Sequence, residues 1–188
     1  MAENKELKRQ VFHFFLGILI VVLVRNDVLN LISLFVILLI GIVISFISKK
    51  INILGVKWWL EHFDRKNAPI PGYGVITYFL GVIIVLALFN EKIALASVMI
   101  LAFGDSFCHL GRFGKINNPF NKAKFLEGTI IGIIMGTIGA GFFVSWTVAF
   151  FGSLAAMSIE GIELAVLKKK IDDNLLIPII SALIMALF

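Results

Sequence analysis

The chain has 188 residues, of which 60% are hydrophobic and 15% charged, with a formal net charge of +5 and a mean hydropathy of +1.01. Soluble domains are nearer half apolar and a quarter charged, so this chain cannot cover a globular surface with polar groups and reads as an integral membrane protein. Its single cysteine, Cys108, excludes an internal disulfide.

The N-terminal stretch MAENKELKRQ is polar and charged. The apolar run behind it has no small-residue cleavage site and is read as a retained span, not a signal peptide. A spanning helix needs about 20 apolar residues, or fewer where the bilayer thins. Seven segments meet this: 7–24, 28–47, 73–89, 93–110, 128–143, 144–167 and 175–188. The fifth and sixth form one apolar stretch, divided near residues 139–145. The last has 14 residues and contains Pro178, so it tilts, thins the bilayer or stops short, and six spans is the alternative. The expected fold is an all-α, polytopic membrane protein, a single domain over residues 1–188 with about seven transmembrane helices.

Cations orient these spans. With the N-terminus in the cytoplasm and sides alternating, only Arg25 and Lys92 fall outside, and the other fifteen of the 17 lysines and arginines fall inside. This is the positive-inside pattern. It accounts for the basic charge without nucleic acid as a partner. The acids follow, with only Asp27 and Glu91 outside. The outer loops are short turns and the elaborate loops are cytoplasmic, which is where chemistry is expected.

The inner loop after the second span carries Trp58 and Trp59, read as headgroup-level anchors. PIPGYG then breaks any helix and sets up the third span. Gly128, Gly132 and Gly136 recur every four residues on the fifth span, a face that lets another helix approach closely. Gly152, Ala156 and Glu160 step likewise on the sixth, so Glu160 should point into the packed interior.

Three polar pairs share helix faces: Arg9 with His13, Asp105 with His109, and Glu160 with Glu163. A carboxylate inside a membrane costs about 3 kcal/mol or more and usually faces a wet cavity with a partner. Asp105 is the sharpest case, because an apolar run, IALASVMILAF, leads straight into GDSFCHLGRFGK.

That segment, followed by KAKFLEGT and then IDDNLLIP, resembles the CTP-dependent lipid kinases: dolichol kinase, phytol kinase and CTP-dependent diacylglycerol kinase. These are distant relatives of the phosphatidate cytidylyltransferases. LKRQVFHFFLG is similar to the family's first-helix motif, which includes Arg9 and His13. DRKNAPIPGYG is similar to its Arg…Pro-Gly-x-Gly segment, placing Arg65. The resemblance puts the family's aspartate on Asp105, its glycines on Gly111 and Gly114, its lysines on Lys115 and Lys124, and its Glu-Gly pair on Glu127 and Gly128. Its terminal acids and asparagine fall on Asp172, Asp173 and Asn174. Two residues, Phe125 and Leu126, separate the last lysine from Glu127, where members often show two lysines before the Glu-Gly. Glu163 fits the family's upstream glutamate better than Glu160.

The resemblance implies transfer of the γ-phosphate of CTP to a lipid alcohol. The expected metal is Mg²⁺, held by Asp105, Asp172 and Asp173, oxygen donors that suit it. Gly111 and Gly114 would let the main chain approach phosphate, with Arg112, Lys115 and Lys124 supplying charge. The helix N-terminus at Glu127-Gly128 would favour an anion. Asp173 or His13 would serve as base. No GxxxxGK[ST] occurs, so ATP binding by that route is not expected. A cytidylyltransferase and a small transporter using the intramembrane carboxylates are the rival readings. Polyprenols, phytol-like alcohols and diacylglycerol all stay open as substrates, and so does the oligomeric state, a homodimer included.

Overall fold

A computed structural model describes residues 2–64, 68–109, 114–117, 125–162, 165–166 and 169–188. The apolar runs form helices: α1 (Ala2–Arg25), α2 (Leu31–Ser48), α4 (Tyr73–Leu88), α5 (Glu91–Met99), α6 (Leu126–Ala140), α7 (Trp146–Ile162) and α8 (Asp173–Met185). Between α2 and α4 lies a short helix, α3 (Leu54–Phe63). By length and composition, α1 over Lys5–Arg25 and α2 could cross a membrane, and α4, α6, α7 and α8 are shorter apolar helices.

Caps explain several boundaries. Asn30 accepts the Ser33 N–H while Ser33 answers the Asn30 N–H, a reciprocal cap that starts α2. Asn90 accepts the Ile93 N–H and starts α5. Asp172 accepts the Asn174 N–H, so α8 begins at Asp173, two residues before the expected span. At the far side of the chain's longest apolar stretch, α7 ends at Ile162, whereas the expected span ran to 167. Beyond it, Ala165–Val166 pairs antiparallel with Lys169–Lys170.

Two features were not expected. One is α3, a helix within the loop that carries the tryptophans. Trp59 stacks on Phe63 and meets Phe12 edge-on, while Trp58 is exposed. The other is a π-helical segment, Ile100–Asp105, which continues α5 and passes into a last turn at Ser106–Cys108. A π turn holds extra residues and re-aims the side chains that follow.

Small residues set the helix spacing. Gly132 and Gly136 are buried on α6, where an added Cβ would meet Met157 Sδ at 2.8 Å and Ser153 Oγ at 3.0 Å. The expected glycine face of α6 is thus its contact with α7. On α4, a Cβ at Gly81 would come within 2.3 Å of the Asn174 carbonyl oxygen. That carbonyl lies four residues before Pro178, which has no N–H to donate back to it. Proline and glycine together bring α8 onto α4.

The helices alternate in direction, so their ends gather in two groups. At one end the Ser106 hydroxyl donates to the Gln10 carbonyl at 3.1 Å, and Asn174 Nδ2 donates to the Gly74 carbonyl at 3.0 Å. At the other end Arg25 pairs with Glu91 at 3.1 Å on the exposed surface. Between them lies the apolar core, with Leu34, Tyr78, Val82, Leu95, Ile100 and Met157 fully buried.

Candidate active site at one end of the bundle

The start of α1, the end of α5 and the starts of α4 and α8 meet at the first of these ends. There α1 presents Glu6, Arg9, Gln10 and His13 along one face, as spacings of three and four require. Arg9 pairs with Glu6 at 2.5 Å, and Gln10 Nε2 donates to the same carboxylate oxygen at 3.1 Å. From α5, His109 Nε2 lies 3.6 Å from Glu6 Oε1 and 4.0 Å from Asp105 Oδ1. Asp105 closes the π segment and is only 6% exposed. Glu6, Arg9, Asp105 and His109 therefore form one charged group across α1 and α5, with Gln10 and His13 buried beside it.

A second group joins α4 to α8. Asp172 Oδ1 accepts the Asn174 N–H at 3.0 Å and the Thr77 hydroxyl at 3.1 Å. Asn174 Nδ2 reaches both the Gly74 carbonyl and Thr77 Oγ1. His13 bridges the groups. Its ring lies edge-on to Tyr78 at 5.3 Å, its carbonyl accepts the Tyr78 hydroxyl at 3.4 Å, and its Nε2 is 4.0 Å from where a Gly74 Cβ would lie. Glu160 is buried near the same end of α7. Asp173 opens α8 in its first turn.

Lys115 and Ile116 are held by Glu127 at the start of α6. The Glu127 carboxylate accepts the Lys115 N–H at 2.8 Å and the Ile116 N–H at 3.1 Å. These main-chain hydrogen bonds, the one from Lys115 foremost, hold the Glu127 carboxyl below the usual range. An added Cβ at Gly114 would come within 2.5 Å of Glu127 Oε2, so the glycine is needed to seat this carboxylate. The Lys115 side chain is exposed, and Gly128 is buried on α6. Arg65, Gly111, Arg112, Lys124 and Glu163 lie outside the described residues.

Sequence reasoning missed Glu6, Gln10, Thr77, Tyr78 and Asp64. Asp64 Oδ2 accepts the Gly72 N–H at 2.9 Å, where Gly72 adopts φ +72°, open to glycine at little cost. It also lines a small crevice with Arg9, His13 and Gly74. Glu6 was detectable from its spacing to Arg9, Gln10 and His13.

The donor set can be weighed for a metal. Among the described residues, Asp105, Cys108 and His109 place their ligand atoms within 4.8 Å of one another. Mg²⁺ takes oxygen ligands, usually one or two carboxylates with waters and phosphates completing its shell. Asp105 fits that requirement, and the sulfur and nitrogen beside it do not contribute to it.

The chain has relatives. A protein of Methanocaldococcus jannaschii, itself uncharacterised, is 31% identical over 96% of this chain and 92% of its own length. A CTP-dependent diacylglycerol kinase of Schizosaccharomyces pombe is 34% identical over 65% of this chain and 63% of its own. Its counterpart from Eremothecium gossypii is 27% identical over 96% of this chain and 66% of its own. The chain thus spans somewhat under two thirds of these two fungal kinases. No family model matches, and no solved structure does. The fold class is an all-helical bundle with its buried charge at one end, and three fungal CTP-dependent diacylglycerol kinases, 27–34% identical to this chain, support the CTP-dependent lipid kinase family.

Proposed function

We propose that this chain transfers the γ-phosphate of CTP to the hydroxyl of a membrane lipid alcohol, giving a lipid monophosphate and CDP. The observation that supports this most is the burial of Asp105 beside His109, which also faces the Glu6–Arg9 pair, at one end of an apolar bundle, in a chain similar to diacylglycerol kinases that use CTP. Diacylglycerol, named for the fungal relatives, is one acceptor class, and polyprenol-like, dolichol-like and phytol-like alcohols are others with the same reacting group.

The bundle is a multi-pass membrane protein with seven spans and a cytoplasmic N-terminus, and the site faces the cytoplasm. The support is the distribution of cations, with fifteen of 17 on that side. A lipid hydroxyl enters at the headgroup plane. Its oxygen attacks the γ-phosphorus, the bond to the bridging oxygen breaks, and CDP leaves with the electron pair. The hydroxyl proton passes to His13 or Asp173. Arg112, Lys115 and Lys124, with main-chain groups at Gly111 and Gly114 and the α6 N-terminus at Glu127 and Gly128, hold the phosphates. Asn174 is the further nucleotide contact. Arg9, Arg65, Glu160 and Glu163 set the charge around them. Asp105, with Asp172 and Asp173, would hold Mg²⁺, which neutralises phosphate charge when bound. Most of the acceleration comes from positioning and charge neutralisation.

The test is a matrix of labelled CTP, ATP, GTP and UTP against lipid alcohols and lipid phosphates, with purified protein. Label from the γ-phosphate of CTP should appear in the lipid and label from ATP barely at all. Label from the α-phosphate in the lipid would identify a cytidylyltransferase instead.

A further inference from the structure

Next to the charged group lies an apolar groove of about 320 Å³, between the site-proximal half of α2 and helices α1, α3 and α4. Its walls include Phe12, Ile44, Val56, Trp59 and Ile76. The groove exists because α2 packs chiefly on α4, so a cleft opens between its lower half and α3. The one buried hydroxyl there, on Ser45, already donates to the Pro71 carbonyl at 2.6 Å, which leaves the cleft without polar demand.

Two glycines line it. Gly41 is inside α2 and Gly55 is in the first turn of α3. Glycine inside a helix carries a cost in stability relative to alanine. At Gly17, Gly81 and Gly132 a close neighbour explains that cost, since an added Cβ would meet atoms at 2.3 to 2.8 Å. At Gly41 and Gly55 an added Cβ would meet nothing within 4 Å. Protein packing does not require glycine at either place. Both keep the groove open.

The groove shares two walls with the site. Phe12 and Trp59 line it and also line the crevice that holds Arg9, His13, Asp64 and Gly74. A molecule with its hydroxyl in that crevice would lay its chain past these two rings into the cleft. We propose that this groove binds the hydrocarbon chain of the lipid alcohol, in the segment next to the hydroxyl. Its volume is at the small end of ligand sites, which run from about 300 to 1,000 Å³. It therefore takes one chain, and any second chain stays in the bilayer. The assignment rests on the kinase reading for the identity of the ligand.

Two measurements on the full chain in mixed micelles test it. In the first, Gly41→Phe and Gly55→Phe fill the groove. KM for a long-chain lipid alcohol should rise about tenfold with KM for CTP unchanged, the pattern of lost substrate binding. Ile32→Phe, on the exposed face of α2, should change neither. Equal lipid KM in all four proteins overturns the proposal. In the second, a long-chain alcohol with a diazirine in its chain is photolysed on the wild-type protein without CTP. Adducts should form on Ile44, Val56 or Trp59 and be lost in Gly41→Phe. Equal labelling by a diazirine phosphatidylcholine would make the groove a general bilayer contact and overturn the proposal. Labelling needs no turnover, so adducts in a protein that phosphorylates nothing would sink the kinase reading and leave the groove standing. Turnover with adducts only elsewhere would do the opposite.

Discussion

Asp105 follows a run of apolar residues, and that contrast made it legible in the sequence. Asp105→Asn keeps its shape and removes its charge. Turnover should fall by about 10²-fold or more, equivalent to about 2.7 kcal/mol of transition-state stabilisation, with melting temperature kept or raised. Normal turnover across a magnesium titration would remove this residue from the metal site. Glu6 was legible only through its helical spacing to Arg9, Gln10 and His13, because an acid in a charged tail offers no contrast, and the folded helix sets it against Arg9 and His109. Glu127 was noticed for a role at phosphate, and the structure shows its carboxylate on the Lys115 and Ile116 amides. Its carboxyl is held below the ordinary range, so the contribution is present above that range and lost as pH falls through the folded value. Amide exchange at residues 115–116 should accelerate in acid below the ordinary glutamate range. Glu127→Gln should abolish that pH dependence, and unchanged acid behaviour in this variant would show that another group holds the loop.

At the level of elements, the apolar runs marked seven helices within a few residues, because length and composition dominate there. The π segment was not visible, since the pattern IALASVMILAF is apolar all round and carries no periodicity to betray an added residue. The amphipathic α3 was hidden for a different reason. Its sequence is short, and the glycines and prolines that follow it read as loop. The spacing between helices is more readable in glycines, and two of them separate packing from open space. Gly81→Ala would push on the Asn174 backbone and should cost about 1–3 kcal/mol, as overpacking does, seen as a lower melting temperature. Activity should fall with it, because Asn174 and Asp172 move together. Gly41→Ala meets nothing and should leave stability equal or higher by up to about 1 kcal/mol. The opposite order of melting temperatures would mean that the α4–α8 contact is looser than described.

Over the whole molecule, the proposed topology rests on cation placement, because lysine and arginine mark the cytoplasmic loops of membrane proteins. In a Cys108→Ser background, cysteines at Asn26 and Asn90 should react with an impermeant thiol reagent from outside. Cysteines at Lys57 and Ile116 should react only after permeabilisation, and outside labelling of Ile116→Cys would overturn the orientation. What the sequence could not convey is how two distant polar stretches, residues 6–13 and 172–174, come to lie around two neighbouring residues of α4, Tyr78 and Thr77. That depends on helix direction and packing. The buried acids Asp105, Glu160 and Asp172 belong to one end of the bundle. At the other end, the Arg25–Glu91 pair is on the surface, above an apolar core. A lipid phosphorylated by such a protein carries its new charge in a single leaflet. A doubly charged headgroup does not cross hydrocarbon unaided, so on the kinase reading the product accumulates on the side where CTP is available. The enzyme would then build a difference in composition between the leaflets, and delivery to the opposite leaflet would need separate machinery.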